Sequence, residues 1–247
     1  MKELEDQTIL ITGSSKGIGK DIAILMGTLK MNVFVHYHNS YEQALEVKKI
    51  IEERNGRCTL VKADVSNMEE VQQMFDTILK KTSKIDALVN NVGVLHKGTL
   101  ISTSEKNWDA VIDINLKSAF MCSKLAARIM MRNRSGNIIN IISSITNKQL
   151  NIQSCYSASK YGLIGMTKAL AKELGLFGIR VNGISPGPIR TCMNPLTEAE
   201  VEQIKKDTPL KDITNGTDIA NFIAFLLSYQ ARMITGQVIT IDGGLSL

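Results

Sequence analysis

Short apolar runs alternate along this chain with longer stretches whose apolar residues recur every three or four positions. Thr8-Ile9-Leu10-Ile11-Thr12 is a continuous apolar run ending at a glycine, the pattern of a strand buried on both faces. Beyond the glycines, Ile18, Ile22, Ala23, Leu25, Met26 and Leu29 fall at helical intervals. Strand-like runs return at Asn32–Tyr37, Arg57–Lys62, Ile85–Val89, Asn137–Ile142, Ile179–Ile184 and Gln237–Ile241, with helical patterns between them. This alternation predicts an α/β fold: a doubly wound parallel sheet with helices on both faces, forming a single domain over residues 1–247. Polar or glycine clusters follow nearly every strand, at Asp64, Asn90–Gly93, Ser143, Pro186-Gly187 and Asp242–Gly244. Ligands of such sheets bind beyond the carboxyl ends of the strands.

The cluster after the first run is Thr12-Gly13-Ser14-Ser15-Lys16-Gly17-Ile18-Gly19. Strand, glycine turn and helix in succession are the context of a Rossmann-like dinucleotide fingerprint, here spaced Gly-x-x-x-Gly-x-Gly. Glycines let the backbone approach phosphates, and the helix N-terminus offers free N–H groups and a positive dipole end. In such folds an acidic residue about 20 positions further on binds the ribose 2′-hydroxyl and selects NAD. The second run instead ends His36-Tyr37-His38-Asn39-Ser40, with no acid before Glu42. With Lys16 inside the glycine loop, this predicts preference for NADP(H), NAD(H) remaining possible, and places Lys16 and His38 near the 2′-phosphate. Surface polarity is the plainer reading of the two histidines.

A second constellation lies downstream. Ala158, Leu163, Met166, Ala169, Leu170 and Leu174 predict a helix that Gly175 can stop, and on it Tyr156 and Lys160 stand one turn apart on one face. A phenol with a pKa of about 10 is a poor base at neutral pH, and a neighbouring ammonium lowers such a pKa by roughly 1–3 units. Tyr156 could then exchange protons with a substrate alcohol or carbonyl, while Ser143 hydrogen-bonds the same oxygen. The spacing alone is common on solvated helix faces; the glycine turn upstream makes the pair specific.

Composition narrows the class. Of the residues, 44% are hydrophobic and 21% charged, as in a globular chain long enough for a large core. No apolar run approaches the roughly 20 residues that span a bilayer, and the charged start Met-Lys-Glu-Leu-Glu-Asp does not read as a signal peptide. Cys58, Cys122, Cys155 and Cys192 lack metal-ligand or redox spacing, so no metal is expected and a cytoplasmic protein with reduced thiols is. The net charge of +5 is mild, its lysine pairs are scattered, and aromatic content is 5%, which argues against nucleic-acid binding. Arg128, Arg132 and Arg134 form the densest basic group. The stretch Pro186–Pro209, punctuated by Pro188 and Pro195, is a candidate lid.

Together these residues resemble the short-chain dehydrogenase/reductase family across essentially the whole chain. Thr12–Gly19 matches its TGxxxGIG motif. Asn90-Asn91-Val92-Gly93 is similar to its NNAG motif, with Val92 for alanine, and Pro186–Thr191 to its PGxIxT segment. The resemblance implies a catalytic tetrad of Asn115, Ser143, Tyr156 and Lys160. Tyr156 would be the general acid in reduction, and Lys160 would lower its pKa and bind the nicotinamide ribose. Asn115 would help hold a water, by interrupting the helix regularity of Val111–Asn115. Cofactor contacts would come from Gly13, Ser15, Lys16, Gly17, Ile18, Gly19, His38, Asp64, Val65, Asn91, Tyr156, Lys160 and Ile189, the last through its backbone beside the carboxamide. The layout is similar to that family's 3-oxoacyl-(acyl-carrier-protein) reductases, which implies an acyl-thioester substrate. Arg134 aligns with one of two arginines associated there with the carrier, Phe177 stands at the other, and the loop Val94–Thr99 lacks their Thr-Arg-Asp. A sugar or other secondary-alcohol dehydrogenase, a non-catalytic nucleotide-binding scaffold and a Ser143 hydrolase are the alternatives. The family further implies a homotetramer built through helices such as Asn107–Met131 and the C-terminal segment.

Overall fold

A computed structural model describes residues 2–144, 153–191 and 194–247. The seven predicted strands all form: β1 (Thr8–Ile11), β2 (Asn32–Tyr37), β3 (Arg57–Lys62), β4 (Ala87–Asn90), β5 (Gly136–Ile141), β6 (Ile179–Pro186) and β7 (Val238–Ile241). Their ends differ from the sequence reading by one or two residues: β4 starts at Ala87 rather than Ile85, and β6 runs on to Pro186. All pair in parallel in the order β3-β2-β1-β4-β5-β6-β7. The order reverses direction between β1 and β4, so the carboxyl ends of these two strands open the crevice where such sheets bind ligands.

Alternation along each strand divides the core. Ile9 and Ile11, Val33 and Val35, and Ala87 and Val89 point to one face, under α1 (Gly17–Thr28), α2 (Tyr41–Glu53) and α8 (Gly216–Leu227). Leu10, Phe34 and Leu88 point to the other, under α3 (Met68–Leu79), α5 (Ser118–Asn133) and α6 (Ser154–Leu174). Because both faces are covered, the strands carry uninterrupted apolar runs.

Three further features bear on the site. The helix α4 (Glu105–Ile112) runs into α5 through a π-turn, Asp113–Lys117, that contains Asn115. The candidate lid contains α7 (Glu198–Asp207), started by a Thr197–Glu200 capping box. In α6 the inward stripe is Cys155, Ser159, Lys160, Leu163, Thr167, Ala171 and Leu174. The apolar positions predicted for that face are only partly on it: Ala158 and Ala169 are exposed. Polar Ser159, Lys160 and Thr167 take the core side because each finds a buried partner.

Candidate functional site

Beyond the carboxyl ends of β1, β4, β5 and β6 lies a cleft of about 580 Å³. Its walls include Gly13, Ser15, Lys16, Gly17 and Ile18 of the glycine turn, and His38, Asp64, Val65, Asn91, Ser143, Tyr156, Lys160 and Ile189. Two of the predicted residues stand behind that wall, Gly19 packed under the turn and Asn115 under the β4 loop.

At one end the chain builds a fixed turn. Gly13 adopts φ +63°, and a Cβ there would lie 2.9 Å from Val92 Cγ2, so Val92 covers the turn. Gly19 must lack a side chain, because a Cβ would stand 2.5 Å from Gly13 O. Thr12 Oγ1 accepts from Asn91 N (2.9 Å) and Val92 N (3.2 Å), tying the β4 loop to the turn. Asn91 Nδ2 donates to Thr12 O and Gly13 O, each at 3.0 Å. Asn91, expected as a cofactor contact, therefore spends its amide on holding the turn. His36 is not surface polarity: it is 2% exposed and hydrogen-bonded at both ring nitrogens. Burial pushes its pKa down from 6.5 to about 4. Asp64 is drawn below the ordinary carboxylate value: burial opposes ionisation, but bonds from Ser66 N (2.9 Å) and Ser66 Oγ (2.7 Å) outweigh it.

At the other end the π-turn aims Asn115 inward, as its position in the predicted helix break required. The residue is 1% exposed. Its Oδ1 accepts from Val94 N at 2.7 Å, and its Nδ2 donates to Val94 O and Ser159 Oγ, both at 3.0 Å. Ser159 Oγ in turn donates to Tyr156 O at 2.7 Å, linking Asn115 to the turn that carries Tyr156. Sequence reasoning passed over Ser159, whose only signal was a small polar residue beside Lys160. The Lys160 ammonium donates to Ile141 O at 2.9 Å and lies 5.7 Å from the Tyr156 ring centre.

One electrostatic expectation reverses. Lys160 was to lower the Tyr156 pKa, yet the phenol is held above its ordinary value: burial raises it, and the hydrogen bond with Ser143 opposes only in part. Burial also brings Lys160 down to about 8, which halves the charge it can place beside the phenol near that pH. The thiol next to Tyr156, Cys155, is buried and free, and Cys192 lies outside the described residues. Among the described residues no cluster of metal-ligating side chains occurs, and no helix is long and apolar enough to cross a membrane.

Known proteins place this arrangement. The family model described as enoyl-(acyl-carrier-protein) reductase matches residues 13–246. The 3-oxoacyl-[acyl-carrier-protein] reductase FabG of Staphylococcus epidermidis is 38% identical over 97% of this chain and 99% of its own. The 3-oxoacyl-[acyl-carrier-protein] reductase of Synechocystis is 39% identical over 99% of both. Among solved structures, a dehydrogenase/reductase from Sinorhizobium meliloti superposes with TM-score 0.92 at 32% identity, covering 100% of this chain and 98% of its own. A substituted short-chain dehydrogenase/reductase from Serratia marcescens gives 0.92 at 31%, covering 99% of each. The scaffold and hydrolase alternatives fall away, because this chain belongs to the short-chain dehydrogenase/reductase family and is an oxidoreductase that uses a nicotinamide cofactor.

Proposed function

We propose that the protein is an NADP(H)-dependent reductase that converts the ketone of a 3-oxoacyl thioester to a secondary alcohol, reversibly, in fatty acid biosynthesis in the cytoplasm. The observation that carries this reading is the meeting of Ser143, Tyr156 and Lys160 in one cleft, with the Tyr156 hydroxyl hydrogen-bonded to Ser143. The relatives named above support the thioester. So does the wall beside the tetrad, where Val94, Leu95, Ile114 and Ile142 suit an acyl chain better than a sugar.

The residues present fit a dinucleotide. The turn Gly13–Gly19 would hold the diphosphate, Asp64 and Val65 the adenine, Lys16 and His38 the 2′-phosphate, and Ile189 the carboxamide. When bound, the nicotinamide supplies or takes up the hydride. Ser143 Oγ then orients the substrate carbonyl, and Tyr156 gives its proton to the oxygen as negative charge develops there. A phenol held above its ordinary pKa keeps that proton until the oxygen needs it, which suits an acid in the reducing direction. Lys160 would bind the nicotinamide ribose, and its position over Tyr156 would steady the phenolate left behind. Asn115 acts from behind, fixing Val94 and Ser159.

For assembly we propose a homotetramer, because α4 and α5 carry exposed Trp108 and Phe120 and α6 exposed Tyr161. Sedimentation as a monomer would refute that. The activity is tested by following NADPH consumption with acetoacetyl-CoA, NADH in parallel. Turnover with NADPH is expected. Turnover only with a sugar or a simple alcohol would move the substrate elsewhere, and a lower dissociation constant for NADH would overturn the cofactor preference.

A further inference from the structure

The amides of the glycine turn are unequally committed. Thr12 N donates to Val89 O and Ser14 N to His36 O, each at 3.0 Å. Lys20 N is the first donor of α1 to reach back, to Lys16 O at 3.3 Å, so the N–H groups at the start of the helix remain for an anion. Gly13 differs from both: its N–H is taken by a side chain, donating to His36 Nδ1 at 2.9 Å. That bond fixes the ring's tautomer, since a bare Nδ1 leaves the proton on Nε2, which donates to Ala63 O at 3.0 Å. One imidazole thus spans three segments around the cleft: the turn after β1, the end of β2 and the loop after β3 that carries Asp64 and Val65.

We propose that His36 is a positioning residue that fixes the gap between the phosphate-binding turn and the Asp64–Val65 wall, so that a dinucleotide meets a preformed cleft. The inference rests on the cofactor reading above. An N–H buried without an acceptor is costly, so a turn deprived of the ring must rotate or admit water. Either change moves the glycine backbone from where the phosphates lie. Desolvation keeps the ring neutral at ordinary pH, so His36 positions without adding a cation; His38 and Asp64 act on it electrostatically in opposite directions. Substitution isolates the ring cleanly. The bonds from His36 N to Ser14 Oγ and from Ser14 N to His36 O, both 3.0 Å, use the main chain of His36 and not its ring.

The test titrates NADPH and NADH directly by cofactor fluorescence, without substrate, and follows Gly13 amide exchange by NMR in the dinucleotide-free protein. Asn can present Oδ1 where His presents Nδ1, so His36→Asn keeps the acceptor for Gly13, whereas His36→Leu keeps neither bond. The leucine variant is expected to bind both dinucleotides about tenfold more weakly and to lose Gly13 protection, with kcat at saturating cofactor within about twofold. His36→Asn should recover the protection and most of the affinity. Unchanged affinity in the leucine variant overturns the proposal, as does an asparagine variant as weak as leucine. Should the leucine variant not fold, His36→Asn carries the test: a Gly13 amide that exchanges as freely as exposed glycines overturns the proposal. Wild-type protein that binds neither dinucleotide would instead refute the cofactor reading, and the proposal with it.

Discussion

The two ends of the cleft are built on opposite principles. Around the glycine turn the side chains cross-tie the backbone: Thr12, Asn91, Ser14 and His36 exchange hydrogen bonds, and the buried imidazole is held neutral. Around Tyr156 the protein buries two titratable groups away from their ordinary values, the phenol upward and the lysine down to about 8. The first end is a mould, whose role is to exist before the ligand arrives. The second stores imbalance that a reacting oxygen can discharge. Substitutions at the mould should therefore change affinity, and those at the second end should change rate.

The sharpest way to break this division is Tyr156→Phe. Removing the acid is expected to lower kcat by about 10³-fold, within the usual range for a general acid–base group. Cofactor affinity should stay within about twofold, read from direct titration. A tyrosine-less protein that keeps its rate would end the assignment; one that loses cofactor affinity instead would erase the contrast between the ends.

Next in size is Gly19→Ala. The added carbon would stand 2.5 Å from Gly13 O and 2.6 Å from Asn91 Nδ2, both parts of the mould. Displacing that backbone should weaken its charge-assisted hydrogen bonds to the diphosphate and cost roughly 10²-fold in dinucleotide affinity. Since the atoms nearest the added carbon, in Gly13, Asn91 and Ser14, all belong to the mould, kcat at saturation should hold. Isothermal titration separates the two effects, and unaltered binding would mean that the turn yields where the packing says it cannot.

The two ends were also unequally legible in the sequence. Glycines announce a mould, because Gly13 needs a positive φ and Gly19 needs the absence of a side chain, and both demands act locally. Strand runs were equally plain, since Ile9, Leu10 and Ile11 are buried on both faces. What stayed hidden was set by distant segments. His36 looked like a polar residue at a strand end until the fold brought Gly13 and Ala63 to its two nitrogens. Ser159 showed only as a small polar residue beside Lys160, because its partner Asn115 is 44 residues away. The direction of the Tyr156 pKa was misread for a related reason: spacing reports that a lysine is near, but not how much water both groups lose.

His36 offers a pH test of the mould. Folded, it titrates at about 4 rather than 6.5. Between those values the unfolded chain takes up a proton that the folded ring refuses, so stability is fully present above pH 6.5 and falls as pH drops towards 4. By pH 5 the loss from this group alone is roughly 2 kcal/mol. Urea unfolding at pH 7.5 and pH 5 for the native protein and His36→Asn isolates it from other groups titrating in that window. A native protein no more acid-sensitive than the variant would show that the ring is charged or solvated.

The smallest expected effect concerns the rim of the mould. Lys16, extended at the N-cap of α1, and His38, beyond the end of β2, both line the cleft, and neither belongs to the network that shapes the turn. A side chain that only meets the 2′-phosphate should tell the two dinucleotides apart. Lys16→Ala is therefore expected to raise the NADPH dissociation constant about tenfold, in keeping with a charge-assisted hydrogen bond near the surface, and to leave NADH within about twofold. Because the contact is ionic and exposed, its share of NADPH affinity should shrink with added salt. His36→Leu, by contrast, should weaken both cofactors alike at every salt concentration, since a displaced turn fails any diphosphate. If Lys16→Ala weakens NADH as much as NADPH, Lys16 serves the shared diphosphate, and the preference must come from His38 or from the absence of an acid there.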